Sequence, residues 1–238
     1  MHHKTGSNIL KKHNALGLPF FLLEDVYPKK FKNVMSVSKQ TLKKFRVNGK
    51  VLSNGISNVL KKENLKIGNY ILYVGRIDFF NKGLDLLING KFDFPIVVAG
   101  KGKDEGRLKR LNPNYKYLGY IDGKTKVELI KNSKFLVMPS RYEGQGIVAL
   151  ESASMGKPLV VSDIPELKYV VDNGFGICFE NGNLKDFKEK VSYLWYNENL
   201  ILKMGKKGID YAKNFTWDKI VEKYENYLLK VYRDFHKC

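Results

Sequence analysis

From residue 69 onward, short apolar runs alternate with longer stretches in which apolar residues recur every three or four positions. The runs Tyr70 to Val74, Ile96 to Ala99, Tyr117 to Leu118, Phe135 to Met138 and Leu159 to Val161 predict strands, with helical stretches beginning near Lys82, Asp104, Lys124, Gln145 and Pro165. Such alternation predicts an α/β fold built on a doubly wound parallel sheet, and the apolar character of the strands fits a sheet covered by helices on both faces. Gly174 to Phe179 adds an edge strand. Helices follow over Leu184 to Tyr196, Asn199 to Asn214 and Thr216 to Phe235. The last places Trp217, Ile220, Val221, Tyr224, Leu228, Val231 and Phe235 at helical spacing, a broad apolar face whose plain reading is core packing.

Before residue 69 the pattern is sparser. Ser7 to Leu16 reads as a helix, Pro19 to Leu23 and Asn33 to Ser36 as strands, Lys39 to Phe45 as a helix with Ser38 as its N-cap, and Val51 to Ser53 as a short strand before the Asn54-Gly55 turn. The polar, charged run from Lys61 to Gly68 reads as a hinge. The expected organisation is therefore a partial, smaller α/β region over 1–66, a larger domain over 67–215 and a terminal helix over 216–238.

Pro139 to Pro158 (PSRYEGQGIVALESASMGKP) is the stretch richest in candidate chemistry. An apolar strand, Lys134 to Met138, runs into a loop, and a helix predicted over Gln145 to Met155 is closed by Gly156. In open parallel sheets, ligands collect beyond the carboxyl ends of strands, where a helix N-terminus offers unpaired N–H groups to an anion. Gly144 and Gly146 allow a ligand close to that backbone. Glu143 lies in the loop and Glu151 in the helix, roughly 9 Å along its axis at ~1.5 Å per residue, so the two carboxylates address different parts of an elongated ligand. The plain alternatives are a favourable charge near a helix start and a solvated mid-helix acid.

Composition narrows the classes. The 238-residue chain is 43% hydrophobic and 28% charged, as expected of a globular protein with a real core. Its 42 basic against 24 acidic residues give a net charge of +18, which attracts phosphorylated small molecules, anionic membrane surfaces or nucleic acid. The lysines are scattered with no aromatic-interleaved basic motif, which argues against a dedicated nucleic-acid binder. Cys178 sits in an apolar pattern and Cys238 is terminal, so a disulfide framework is not expected and a reducing cytoplasm is. There is no zinc spacing, no signal-peptide pattern at Met1 to Gly6 and no run of about 20 apolar residues. Any membrane contact is expected to be peripheral.

Several motifs, in order, carry a resemblance. PSRYEGQGIVALESASMGKPLVVSD (from Pro139) resembles the E-x7-E signature of the retaining, nucleotide-sugar-dependent glycosyltransferases of family 4, the two-Rossmann-domain GT-B type. Ile71 to Gly83 (ILYVGRIDFFNKG) is similar to that family's strand and Arg/Lys loop, Phe94 to Gly102 (FPIVVAGKG) to its next strand, and Tyr117 to Tyr120 (YLGY) to its base-contacting segment. Asn33 to Ser38 and Val51 to Ile56 resemble the end of its first domain and the linker.

The resemblance implies a Rossmann-like donor domain, a shortened acceptor domain and a final helix crossing back onto it. It implies a UDP- or GDP-sugar donor, no metal or other cofactor, and transfer with retention to a glycan or lipid-linked acceptor. Residue by residue, it implies that Arg76 and Lys82 meet the donor phosphates, which suits a bidentate guanidinium and a mobile ammonium. Glu143 would hold sugar hydroxyls and Glu151 the ribose hydroxyls, because carboxylates accept two hydroxyl bonds in fixed geometry. N–H groups near Gly146 and Ile147 would face phosphate, Gly75 would precede the cationic loop, and Gly119 and Tyr120 would flank the base. Glu143, Arg76 and Lys82 carry catalysis on this view. Gln145 stands where the family commonly has an aromatic or apolar residue, which bears on sugar selectivity. The short first region leads to an expected second protein surface, a homodimer or a separate acceptor-binding subunit.

Two alternatives stay open. A two-carboxylate glycosidase needs carboxyls about 5 to 9 Å apart across a sugar, and it leaves Arg76 and Lys82 without a role. A catalytically silent scaffold would use the positive surface to hold an anionic partner.

Overall fold

The computed structural model describes residues 27–236, and the helix expected over Ser7 to Leu16 and the strand over Pro19 to Leu23 lie outside the described residues. The chain divides into two compact units, one formed by 1–55 with 217–238 and the other by 56–216.

The described part of the first unit opens with a 3-10 turn, Tyr27–Lys30, followed by β1 (Met35–Ser36), α1 (Lys39–Phe45) and β2 (Lys50–Val51). β1 and β2 pair in parallel. The Ser38 hydroxyl accepts from the Thr41 N–H at 3.1 Å and so caps α1, satisfying one of the helix's free donors. Leu42 is its buried residue.

The second unit is a six-stranded sheet in which every neighbouring pair is parallel. In chain order its elements are β3 (Ile71–Val74), α2 (Phe79–Lys82), α3 (Leu84–Gly90), β4 (Ile96–Ala99), α4 (Glu105–Leu111), β5 (Lys116–Gly119), α5 (Gly123–Asn132), β6 (Phe135–Met138), α6 (Ile147–Ser154), β7 (Leu159–Ser162), α7 (Lys168–Asp172), β8 (Gly176–Phe179), α8 (Leu184–Trp195) and α9 (Glu198–Ala212). The spatial order is β5-β4-β3-β6-β7-β8. The expected doubly wound α/β architecture is therefore present, with Gly176–Phe179 at an edge. The inner strands β4, β6 and β7 are buried at every position, while the edge strand β5 is not. Each fully buried Leu, Ile, Val or Phe contributes roughly 1.5–3 kcal/mol, so these three strands, with β3 buried at all but Val74, anchor the unit. One apolar cluster, including Ile71, Val137 and Phe187, lies on one face, and a second, including Leu72, Leu136 and Leu150, lies on the other.

Several boundaries differ from the sequence expectation. The helical stretch near Lys82 is two helices broken at Gly83, whose φ of 62° is left-handed. The helix expected from Gln145 starts at Ile147, and the one expected from Pro165 starts at Lys168. The run Lys61 to Gly68 belongs to the second unit, holds a 3-10 turn at Lys62–Asn64, and packs so tightly that a Cβ on Gly68 would lie 1.8 Å from the Asn132 carbonyl oxygen.

The last helix, α10 (Trp217–His236), belongs to the first unit. Its apolar face is not core: Ile220 alone on it is buried, while Trp217, Val221, Leu228 and Phe235 are exposed. Helical spacing makes this face apolar, but burial needs a partner surface on it, and the described elements of that unit besides α10 are a 3-10 turn, two two-residue strands and one seven-residue helix. The Tyr224 hydroxyl donates to the Leu52 carbonyl at 3.2 Å.

Candidate functional site

The strand order reverses between β3 and β6. From β3 the chain steps outward to β4 and β5, and from β6 it steps the other way to β7 and β8. At such a reversal the connections leave on opposite faces and open a crevice beyond the strands' carboxyl ends. The two segments that follow β3 and β6 are Gly75 to Lys82 and Pro139 to Gly146, the two richest in candidate chemistry.

These segments are fastened together. Lys82 Nζ lies 2.5 Å from Glu143 Oε1, which also accepts from the Ser140 hydroxyl at 2.8 Å. The Arg141 and Tyr142 N–H groups donate to the Asn81 carbonyl at 2.9 and 3.3 Å. The Arg141 guanidinium forks onto Asp85 with two 2.7 Å bonds and reaches the Phe79 carbonyl at 3.0 Å. Its pKa is raised, first by the hydrogen bonds to Asp85. Gly83 makes the approach possible, since a Cβ there would lie 1.8 Å from the Pro139 carbonyl oxygen.

α2 is positioned by two carboxylates. Asp78 accepts from the Asn81 N–H at 3.0 Å and from its amide at 2.7 Å, and Asp104 accepts from the Phe79 N–H at 2.8 Å. Burial pushes the Asp78 carboxyl up, but the Asn81 bonds with the charges of Lys103 and Arg76 outweigh it and hold its pKa below the ordinary value. The Arg76 side chain is 65% exposed, with Nε 4.0 Å from Asp78, and so is open to an incoming anion. The Tyr73 hydroxyl donates to the Arg76 carbonyl at 2.8 Å and fixes the backbone behind it. Burial, with the Glu143 charge next, pushes that phenol well above its ordinary pKa.

The helix α6 carries the second acid. Glu151 Oε1 lies 2.5 Å from Lys126 Nζ on α5, while its other oxygen, Oε2, is buried and accepts no hydrogen bond within the protein. A buried acceptor left unpaired costs about 1–3 kcal/mol, and Glu151 Oε2 carries that cost in the protein alone. The N-cap of α6 is Gly146, at φ 70°, and no side chain caps the helix. The Tyr169 hydroxyl pins this turn, donating to the Gln145 and Gly146 carbonyls at 3.1 and 3.3 Å. Burial raises its pKa far above the ordinary value.

The structure thus joins Lys82 to Glu143 directly and sets Gly75, Arg76, Gly146 and Ile147 in the segments that follow the adjacent strands β3 and β6. Glu151 is held one helix turn further in, by Lys126. Gly119 ends the edge strand β5 and Tyr120 follows it, two strands from β3 or roughly 10 Å at ~4.8 Å spacing. Tyr120 is 76% exposed there, and the Gly119 carbonyl accepts from the Gly100 N–H at 2.7 Å. Sequence reasoning missed Lys126, Asp85, Arg141, Tyr73 and Tyr169. Only Arg141 had a local signal, two residues before Glu143 in the singled-out stretch. Among the described residues no group of three or more His, Cys, Asp or Glu side chains is gathered to hold a metal ion, and no helix is long and apolar enough to cross a membrane.

The profile of the family described as glycosyl transferases group 1 matches residues 57–211. The chain belongs to that family. The match covers nearly all of the second unit and every side chain from Arg76 to Glu151. An uncharacterised glycosyltransferase of Methanocaldococcus jannaschii is 32% identical over 161 residues, covering 64% of this chain and 46% of that protein. Among solved structures, sucrose-phosphate synthase from Thermosynechococcus elongatus superposes with a TM-score of 0.80 at 17% identity, over 94% of this chain and 64% of that one. A TarM variant of S. aureus in complex with fondaparinux, alpha-GlcNAc-glycerol and UDP gives a TM-score of 0.73 at 21% identity, over 89% and 46%. These likenesses carry the fold, that of GT-B glycosyltransferases. The chain spans less than half the length of the curated relatives it matches, at 46%, 43% and 46% of the first three.

Proposed function

We propose that the second unit binds a nucleoside diphosphate sugar in the crevice between β3 and β6 and that the protein transfers the sugar, with retention of configuration as in family 4, to a glycan or lipid-linked acceptor. The observation that carries this reading is the Lys82–Glu143 contact at the point where the strand order reverses, with Arg76 open beside it. An ammonium held at a carboxylate has further N–H donors for phosphate oxygens, and a mobile guanidinium completes a cationic grip on the departing diphosphate. On this reading the uncapped turn at Gly146 and Ile147 faces phosphate, Glu143 orients sugar hydroxyls, and the unpaired Glu151 Oε2 accepts from a ribose hydroxyl. Gly75 shapes the cationic loop, and Gly119 and Tyr120 flank the base. The fold relative crystallised with UDP lends support by likeness. The donor chemistry requires no metal on this view, because two cations and helix-start N–H groups supply the charge.

Calorimetry with UDP and GDP tests it. Wild type binds at least one of them, and Arg76→Ala with Lys82→Ala weakens that binding by tenfold or more. No binding to either nucleotide, or equal binding by the double variant, overturns it. The scaffold alternative rests on the +18 charge. It wins if Glu143→Gln and Glu151→Gln leave cellular function intact while lysine reversals abolish it.

A further inference from the structure

A second cationic feature lies outside the crevice, in the first unit. Residues 27–55 contain eight lysine and arginine residues and no aspartate or glutamate. Within that stretch, α1 and the turn after it line a concavity of about 350 Å³ formed by Lys39, Leu42, Lys43, Arg46, Val47, Asn48 and Gly49. Lys39 and Lys43 are four positions apart and so rise from one face of α1, and Arg46 follows at its C-cap. All three are exposed, and no acidic side chain among the described residues lies within ion-pair distance of them.

The backbone supplies an independent observation. Arg46 closes α1 in the left-handed conformation, φ 53° and ψ 45°, with its N–H donating to the Lys43 carbonyl at 3.1 Å. That position ordinarily holds glycine, because a Cβ is strained there. The chain keeps Arg46 there, as it keeps Lys91 at φ 47° after α3, and Arg46 is one of the residues that line the concavity. Three like charges brought together without an acid repel one another, and a bound anion relieves both the repulsion and the unfilled hydrogen-bonding capacity of the guanidinium.

We propose that the Lys39–Lys43–Arg46 concavity is a phosphate-binding site, distinct from the donor crevice, for a phosphate monoester or diester carried by a lipid headgroup or by a soluble phosphorylated ligand. The arginine supplies a planar fork for two phosphate oxygens, the lysines supply point charges, and the side-chain amide of Asn48 at the rim is a neutral donor. The site is independent of the donor reading, because none of its residues belongs to the crevice.

The test uses the full chain carrying Arg76→Ala and Lys82→Ala, so that anion binding at those loops is removed whether or not the donor reading is right. Inorganic phosphate and pyrophosphate are titrated and followed by amide NMR shifts, and vesicles of phosphatidylcholine, with or without phosphatidylglycerol, are assayed by sedimentation. The expected result is a saturable shift of the amides of residues 39–49, with affinity at least tenfold weaker in Lys39→Gln, Lys43→Gln, Arg46→Gln combined. It should also fall steeply between about 50 mM and 200 mM salt. Arg46→Gly separates binding from structure: relieving the strain raises Tm, while losing the fork weakens the anion several-fold. Cation-dependent sedimentation with phosphatidylglycerol vesicles assigns the lipid headgroup, and pyrophosphate binding without vesicle preference assigns a soluble ligand. The proposal is overturned if neither phosphate probe nor anionic vesicles engage residues 39–49, or if the triple variant and Arg46→Gly bind as tightly as their parent.

Discussion

Lys82 and Glu143, 61 residues apart in the chain, meet at 2.5 Å. The contact joins the end of α2, after β3, to the loop after β6 at the reversal of strand order, and both side chains are mostly shielded, at 20% and 10% exposure. A shielded charge pair depends on both partners, since removing one leaves the other poorly solvated.

The two halves of that pair should therefore fail differently. Lys82→Ala removes a phosphate contact and strands Glu143, so UDP or GDP affinity should fall tenfold or more, about 1.4 kcal/mol, with some loss of stability. Glu143→Gln keeps the shape and leaves the ammonium unneutralised, so nucleotide affinity should hold or rise while sugar transfer falls by at least a hundredfold. Calorimetry and a transfer assay on the same preparations check both. Equal losses of nucleotide affinity in the two variants would refute the division of roles.

Gly83 holds the loops close enough for the pair to form. Gly83→Ala places a Cβ 1.8 Å from the Pro139 carbonyl oxygen and forces alanine to φ 62°. The left-handed strain alone costs about 1–2 kcal/mol, and backbone displacement adds to it. Expected is a destabilisation of roughly 2–4 kcal/mol by urea denaturation, accompanied by weaker nucleotide binding. A variant as stable as wild type would mean the two loops are not in contact in solution.

The Arg141–Asp85 fork is the other fastener. Both side chains are partly exposed, at 24% and 37%, so solvent screens the pair and limits its strength. A double-mutant cycle with Arg141→Ala and Asp85→Ala should return a coupling of about 1 kcal/mol. Its consequence for function should be larger than for stability, because Arg141 also ties the Glu143 loop to the Phe79 carbonyl. Nucleotide binding by Asp85→Ala, compared with an exposed control, reads that effect.

The sheet was legible because its information is local. Four-residue apolar runs such as Ile96 to Ala99 mark buried strands by themselves, and Ser38 announces its own helix. The crevice was half legible: Arg76, Lys82, Glu143 and Glu151 stand in recognisable segments, and the structure places those segments at adjacent strand ends. What was hidden depends on distance through space. Nothing near Lys126 points to Glu151, 25 positions on, and nothing near Asp85 points to Arg141, 56 positions on. Tyr169 reads as an ordinary apolar residue of a short helix, although its hydroxyl fixes the start of α6. The α10 face misled for the opposite reason, since helical periodicity reports that a face is apolar but not whether anything is available to cover it.

Lys157 gives a prediction in pH. Its side chain is buried, 2% exposed, with its ammonium donating to the Lys66 carbonyl, and burial lowers its pKa from 10.5 to about 8. Because the folded pKa lies below the unfolded one, the unfolded chain binds more protons between about pH 8 and 10.5, and stability rises with pH across that window. Below pH 8 both states are protonated, and the folded protein bears the full cost of a buried charge. A lowering of this size corresponds to a charge cost of roughly 3 kcal/mol. Above pH 10 the buried phenols of Tyr73 and Tyr169 act in the other direction, since their raised values keep protons that the unfolded chain releases. The clean comparison is therefore wild type against Lys157→Met. The variant should be more stable by about 1–3 kcal/mol at pH 7, less than the full charge cost because the bond to the Lys66 carbonyl is lost. Its advantage should shrink steadily from pH 8 to 10. Urea denaturation at pH 7, 8, 9 and 10 measures it, and a difference that does not change with pH would show that Lys157 stays fully charged in the folded protein throughout.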